Sequence, residues 1–174
     1  MTFRIHTGGM TETPVKLLDG QCFLRRATAD DLDAILVLLS DDPISVARGD
    51  AGRPEDRSAY DRAFAAIDAD PAQQLLVAVI DDDVVGTMQL TVIPGLARRG
   101  AARLQIEAVR VRSDTRNLGI GAAMMRWAIG RAPDLGVALV QLTSDAQRVD
   151  AHRFYERLGF SPSHVGFKLT LPVG

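Results

Sequence analysis

Apolar and polar positions along the chain repeat with two different periods, and the changes of period mark the elements. QLLVAVI (74–80) and VVGTMQLTVIP (84–94) are apolar runs rich in β-branched residues, separated by Asp81-Asp82-Asp83. They predict a hairpin of two long strands. ARLQIEAVRV (102–111) is a third strand of this kind, with charges at Glu107 and Arg110, and VALVQLTS (137–144) reads as a buried strand. QCFLRRA (21–27) predicts a short first strand and GFKLTL (166–171) a last one with alternating character.

A helical period takes over in four places. In 28–42, Leu32, Ile35, Leu36 and Leu39 mark one face, Thr28 can cap, and Asp30 and Asp31 suit the positive end of the helix. In 55–70 the apolar face is Tyr60, Phe64 and Ile67. A third helix begins within 113–130 and runs to about Ala132, where Pro133 and Gly136 end it. A fourth, 150–159, stops at Gly159. Stretches 43–56 and 95–101 read as loops. Residues 1–20 have no period and are punctuated by Gly8, Gly9, Pro14 and Gly20. They read as a flexible leader, within which Met10 is an alternative start, ahead of a single domain at 21–174. The order β-α-α-β-β-β-α-β-α-β joins its central strands by turns, which predicts an α/β fold with a mixed sheet rather than a doubly wound one.

The chain has 174 residues, enough to bury roughly 70% of the surface its unfolded form exposes. A core of that size needs no disulfide or metal. Cys22 is the single cysteine and the histidines are His6, His152 and His164, so no Cys/His metal cluster is expected. This cysteine usage fits a reducing, cytoplasmic setting. No apolar run approaches the ~18 residues of a membrane span. A formal net charge of −2 and a pI of about 5.9 argue against broad nucleic-acid binding.

The stretch Arg116-Asn117-Leu118-Gly119-Ile120-Gly121 carries the chemistry. It joins a strand to a helix whose first N–H groups lack partners and whose dipole favours an anion. Glycine removes the side chain that would block a phosphate, and Arg116 adds a fixed charge. The P-loop pattern and the dinucleotide pattern G-x-G-x-x-G are both absent. A turn that merely packs a helix closely on the sheet remains open on these residues alone.

R-x-x-G-x-G followed by Ala122 resembles the acyl-CoA signature of the GCN5-related N-acetyltransferase (GNAT) family. DAHRFYERLGF (150–160), with Ala151, Phe154-Tyr155 and Leu158-Gly159-Phe160, resembles that family's second motif. The likeness spans roughly residues 21–171, and the closing SHVGFKLTL resembles a branch of small bacterial members. It implies a mostly antiparallel sheet with a splayed parallel pair, flanked by about four helices, and acetyl-CoA as co-substrate without a metal. The backbone of Arg116, Asn117, Leu118, Gly119, Ile120, Gly121 and Ala122 is then the pyrophosphate site. Val109 and Val111 supply backbone groups to the pantetheine. Arg148 stands where many members have Asn and is placed to reach a phosphate.

Acetyl transfer to an amine needs a base, stabilisation of an oxyanion and a proton for the leaving thiolate. Glu107 is the candidate base, with burial expected to raise its pKa. Tyr155 is the candidate acid, by its match to the family tyrosine aimed at the coenzyme sulfur. His152 reads as an exposed or capping residue and Cys22 as core. The acceptor is expected to be a small-molecule amine chosen by residues 41–58 (Asp41, Asp42, Arg48, Asp50, Arg53) and by the loop at 94–101 with Arg98, Arg99 and nearby Arg103. An arginine-lined mouth favours a carboxylate or phosphonate on that acceptor. A protein lysine or N-terminus as acceptor, and a non-catalytic acyl-CoA sensor, are the alternatives. A homodimer is expected from the family habit, and neither a nucleic acid nor a membrane is expected as partner.

Overall fold

The computed structural model describes residues 13–41, 56–169 and 171. Six strands form one sheet whose spatial order follows the chain: β1 (Val15–Leu17), β2 (Cys22–Arg26), β3 (Gln73–Ile80), β4 (Asp83–Ile93), β5 (Ala102–Val111) and β6 (Val137–Leu142). Neighbours from β1 to β5 are antiparallel, and β5 and β6 are parallel. Connection type explains the difference. Asp81 and Asp82 turn the β3–β4 hairpin with φ of +47° and +68°, the hand that fits twisted strands. Between β5 and β6 a helix crosses the sheet, as a parallel pair requires.

Among the described residues four helices of nine residues or more flank the sheet: α1 (Leu32–Ser40), α2 (Arg57–Ala69), α3 (Ile120–Arg131) and α4 (Val149–Arg157). β3 reads as a continuous apolar run because both of its faces are covered. Leu76 and Ala78 join Leu24, Met88, Leu90, Leu104 and Ile106 against Ile120, Met124, Met125 and Ala128 of α3. Leu75, Val77 and Val79 face Ile35 of α1 and Phe64 and Ile67 of α2. Cys22 is fully buried in the α3-side core, as expected.

Thr28 opens α1 as foreseen, through a short turn at Ala29–Asp31. The Thr28 N–H donates to Asp31 Oδ2 at 2.7 Å, and the Arg25 guanidinium forks onto both oxygens of that carboxylate at 2.6 and 2.8 Å.

Two expectations are corrected. Val15–Leu17 pairs with Cys22–Leu24, so the sheet begins inside the stretch read as a leader. Three residues between Pro14 and a turn at 18–20 are too short to show a period. The last strand expected at 166–171 does not form among the described residues. Val165, Phe167, Leu169 and Leu171 stand 80%, 92%, 85% and 71% exposed there. Alternation predicts a strand face but supplies no neighbour to pair with. The reading of Met10 as a start and the loop at 43–55 lie outside the described residues.

Candidate active site

β5 is bulged where the chemistry was expected. Gln89 of β4 faces Glu107 and Thr87 faces Arg110, so Ala108 and Val109 together oppose Met88. Ala108 takes φ +52°, and this extra residue bends the strand. On its other side β5 pairs with β6 only as far as Ile106 and Leu142, yet β5 continues to Val111. The two parallel strands therefore part at Glu107, and the backbone of 107–111 borders a gap. Val109 and Val111 pack their side chains against the α3-side core. Their carbonyls accept from Arg110 Nη1 at 2.9 Å and from Arg116 Nε at 3.3 Å.

The turn after β5 ends in an array of free amides. Asn117 and Gly119 take φ of +66° and +85°, and Gly119 caps α3 without a side chain. The first bond of the helix runs from the Ala123 N–H to the Gly119 carbonyl at 2.9 Å. The N–H groups of Ile120, Gly121 and Ala122 precede it and have no helical acceptor. Leu118 is exposed beside them. Gly121 brings α3 against the end of β5 and against α4. A Cβ there would lie 3.5 Å from Val111 Cγ2 and 3.7 Å from Phe154 Cζ. Arg116 is aimed elsewhere: its Nη2 donates to the Asp41 carbonyl at 3.1 Å and meets Asp41 Oδ2 at 3.4 Å, tying the turn to the end of α1. A depression of about 530 Å³ lies there, lined by Leu36, Ser40, Asp41, Arg112 and Ser113 among others; of the candidate residues only Asp41, named for the acceptor, lines it, and none of the catalytic or coenzyme residues does.

α4 presents Tyr155 edge-on to Phe154 and Phe160, with centroids 5.2 and 6.1 Å away. Burial pushes the Tyr155 phenol above its usual pKa, against a smaller opposing pull from the Arg110 and Arg148 guanidiniums. The phenol therefore keeps its proton at neutral pH. Arg148 caps α4, its carbonyl accepting from the His152 N–H at 3.0 Å. His152, half-buried within α4, donates from Nε2 to the Asp145 carbonyl at 2.8 Å, which ties the helix to the loop before it and is neither the exposed nor the capping role expected.

Glu107 departs from expectation, for it is exposed rather than buried. Leu104 and Ile106 turn to the α3 side, which leaves Glu107 on the opposite face beside Gln89. Sequence reasoning also missed the polar row on that face. Gln89 Nε2 and Thr91 Oγ1 donate to Gln73 Oε1 at 2.7 and 3.1 Å, and Gln141 Nε2 donates to Gln105 Oε1 at 2.7 Å. The available signal was a run of polar residues at every second position of otherwise apolar strands. Arg98 and Arg99 sit exposed in a left-handed turn, Ala97–Gly100, while Arg103 is half-buried on β5. Arg48, Asp50 and Arg53 lie outside the described residues. Among the described residues no His, Cys, Asp and Glu are grouped to hold a metal, and no helix is long and apolar enough to cross a membrane.

The parallel pair that parts at a bulge is the fold feature the sequence motifs had implied; helix-start amides follow at its end, and the half-buried Tyr155 stands on α4. A family model, the acetyltransferase (GNAT) family, matches residues 33–160, and the chain belongs to that family. It is 30% identical over 150 residues to the aminoalkylphosphonate N-acetyltransferase of Salmonella typhimurium, covering 86% of this chain and 92% of that one. Among solved structures it resembles a protein of Bacillus halodurans C-125 described as a transcriptional regulator. The two are 41% identical, with a TM-score of 0.81 over 86% of this chain and 99% of that one. A putative acetyltransferase from Agrobacterium tumefaciens is 28% identical, with a TM-score of 0.72 over 85% and 99%. Glucosamine-6-phosphate N-acetyltransferase from Arabidopsis thaliana, 17% identical, shares the fold, with a TM-score of 0.71 over 87% and 99%.

Proposed function

We propose that this acetyltransferase moves the acetyl group of acetyl-CoA to the primary amine of a small molecule, by direct attack within a ternary complex. The observation that carries the reading is the parting of β5 from β6 after Ile106, with the strand then leading into the free amides that start α3. The residues fit the co-substrate. Three helix-start amides stand ready for a pyrophosphate, with Arg116, Asn117, Leu118 and Gly119 forming the approach and Arg148 at the start of α4 as an added cation. The open side of Val109 and Val111 offers the pantetheine a strand edge. Acetyl-CoA would supply an activated thioester, whose acetyl–sulfur bond breaks as the amide forms, and coenzyme A would leave as the thiol.

Glu107, exposed at the mouth of the gap, takes the proton of the incoming ammonium, directly or through water. The Val109 N–H at the bulge polarises the thioester carbonyl. Tyr155, held protonated by burial, gives its proton to the departing sulfur. The name of the Salmonella relative, an N-acetyltransferase of aminoalkylphosphonates, supports a small acceptor over a protein lysine or N-terminus. The single buried cysteine fits a cytoplasmic setting. The reading includes a homodimer, supported by the exposed apolar row at 165–171.

Thiol release from acetyl-CoA with a panel of small amines tests this directly. Wild type is expected to turn over. Tyr155→Phe is expected to lose about 10²- to 10⁴-fold in turnover while its calorimetric affinity for acetyl-CoA holds. Glu107→Gln is expected to keep that affinity too. An unchanged rate in Tyr155→Phe overturns the acid. The relative described as a transcriptional regulator favours a second reading, an acyl-CoA sensor. Acetyl-CoA binding without turnover on any amine is the result that selects it.

A further inference from the structure

Beyond Glu107, toward the start of β5, the same face of the strand carries Gln105 and then Arg103 at every second position. Gln105 lies in a cross-strand row with Gln73, Thr91 and Gln141. Nearer the middle of the sheet this face is apolar and roofed by α1 and α2. The polar row is therefore a change of character within one face, and it is not simply open surface, since Gln105 is only 8% exposed. Its Oε1 is occupied by Gln141, and its amide nitrogen makes no hydrogen bond with another described residue.

Arg103 ends the row. The half-buried arginines Arg25, Arg26, Arg112 and Arg131 each hold an aspartate. Arg103 is also half-buried, yet no carboxylate or carbonyl among the described residues accepts from it. A guanidinium that has lost part of its water without gaining a counter-charge is costly unless a ligand supplies one. Gly95 lies beside it, where a Cβ would stand in ordinary contact, 3.5 Å from Arg103 Nη1. No acidic residue occurs from 94 to 106, while Arg98 and Arg99 add positive charge in the adjoining turn.

We infer that the acceptor of this enzyme bears an oxyanion a short chain away from its amine, and that Arg103, with the amides of Gln105 and Gln141, seats that oxyanion. The inference rests on the N-acetyltransferase reading and extends it along the strand. The donor lies over Val109–Val111, the reacting amine meets Glu107, and the anion continues the line to Arg103. At about 3.3 Å per residue, Arg103 and Glu107 are roughly 13 Å apart at Cα, a span that an arginine side chain shortens. The site is thus suited to a compact amino acid, aminophosphonate or aminophosphate, whose oxygens the guanidinium fork can take in pairs.

The experiment compares 2-aminoethylphosphonate, β-alanine and ethylamine as acceptors. Wild type is expected to favour one of the two anionic acceptors over ethylamine, and the two arms tell phosphonate from carboxylate. In Arg103→Gln the ratio of kcat/KM for that acceptor to kcat/KM for ethylamine is expected to fall about 10- to 100-fold, mostly through KM, with the KM for acetyl-CoA unmoved. Arg103→Lys, which keeps the charge without the fork, is expected to recover part of the loss. A wild-type preference for ethylamine overturns the inference, as does a ratio that Arg103→Gln leaves unchanged. A second arm needs no turnover. Calorimetric binding of 2-aminoethylphosphonate or β-alanine that weakens at least tenfold in Arg103→Gln supports the subsite even if no amine is acetylated. Absence of binding for both in wild type overturns it.

Discussion

Gly119 holds φ at +85° as the residue that turns the chain from the end of β5 into α3, and Gly121 two residues later sits in ordinary helix. The two therefore respond differently to a side chain. At Gly119 a Cβ meets nothing closer than Leu18 Cδ2 at 3.6 Å, so the penalty is conformational. Gly119→Ala is expected to cost about 1–2 kcal/mol, read as a lower urea midpoint. At Gly121 a Cβ makes normal contact with Val111 and Phe154, and alanine is expected to be tolerated. Leucine at 121 extends toward both neighbours and over the helix-start amides. Gly121→Leu is expected to abolish acetyl-CoA binding, and calorimetry showing wild-type affinity would contradict the pyrophosphate assignment. These positions were legible in the sequence because a strand-to-helix turn is a local object. The exposure of Glu107 and the lack of a partner for Arg103 among the described residues were not, because both depend on where the cover of α1 and α2 over the sheet ends.

The start of α1 shows how one element is tied to the sheet. Burial alone raises the Asp31 pKa, but the Arg25 fork and the Thr28 hydrogen bonds outweigh it and hold the carboxyl below its usual range. A depressed folded-state pKa stabilises the protein above the unfolded value of about 3.9. That contribution is lost as pH falls through the folded value. Asp31→Asn is expected to cost about 1–3 kcal/mol at pH 7, since it also strips Arg25 of its counter-charge. The gap between variant and wild type in urea unfolding is expected to shrink below about pH 4, and a gap that stays constant to pH 3 would place the stabilisation elsewhere. Thr28 and the acidic first turn were readable from spacing. Arg25 as the clamp was not, because it comes from the preceding strand and meets Asp31 only once Ala27 has bonded to Leu75 and set the corner.

At the scale of the molecule, the mixed sheet followed from connection lengths, whereas its two outer edges did not. β1 is three residues long, and its pairing with β2 is settled by a turn of left-handed residues, Leu18, Asp19 and Gly20, rather than by any period. At the opposite edge β6 has β5 on one side and no strand on the other among the described residues. The described residues that follow α4 include Val165, Phe167, Leu169 and Leu171, which are all apolar and all exposed. A strand with one apolar face gains roughly 1.5–3 kcal/mol for each large side chain it covers, so a single chain with this row bare forgoes much of that. The homodimer reading resolves the conflict by letting a second copy cover the row. Wild type is then expected to sediment as a dimer at micromolar concentration. Phe167→Ser combined with Leu169→Ser is expected to sediment as a monomer with its circular dichroism unchanged, because these side chains touch none of the core of their own chain. A monomeric wild type removes the dimer altogether, and a double variant that remains dimeric moves the interface away from the C-terminal segment.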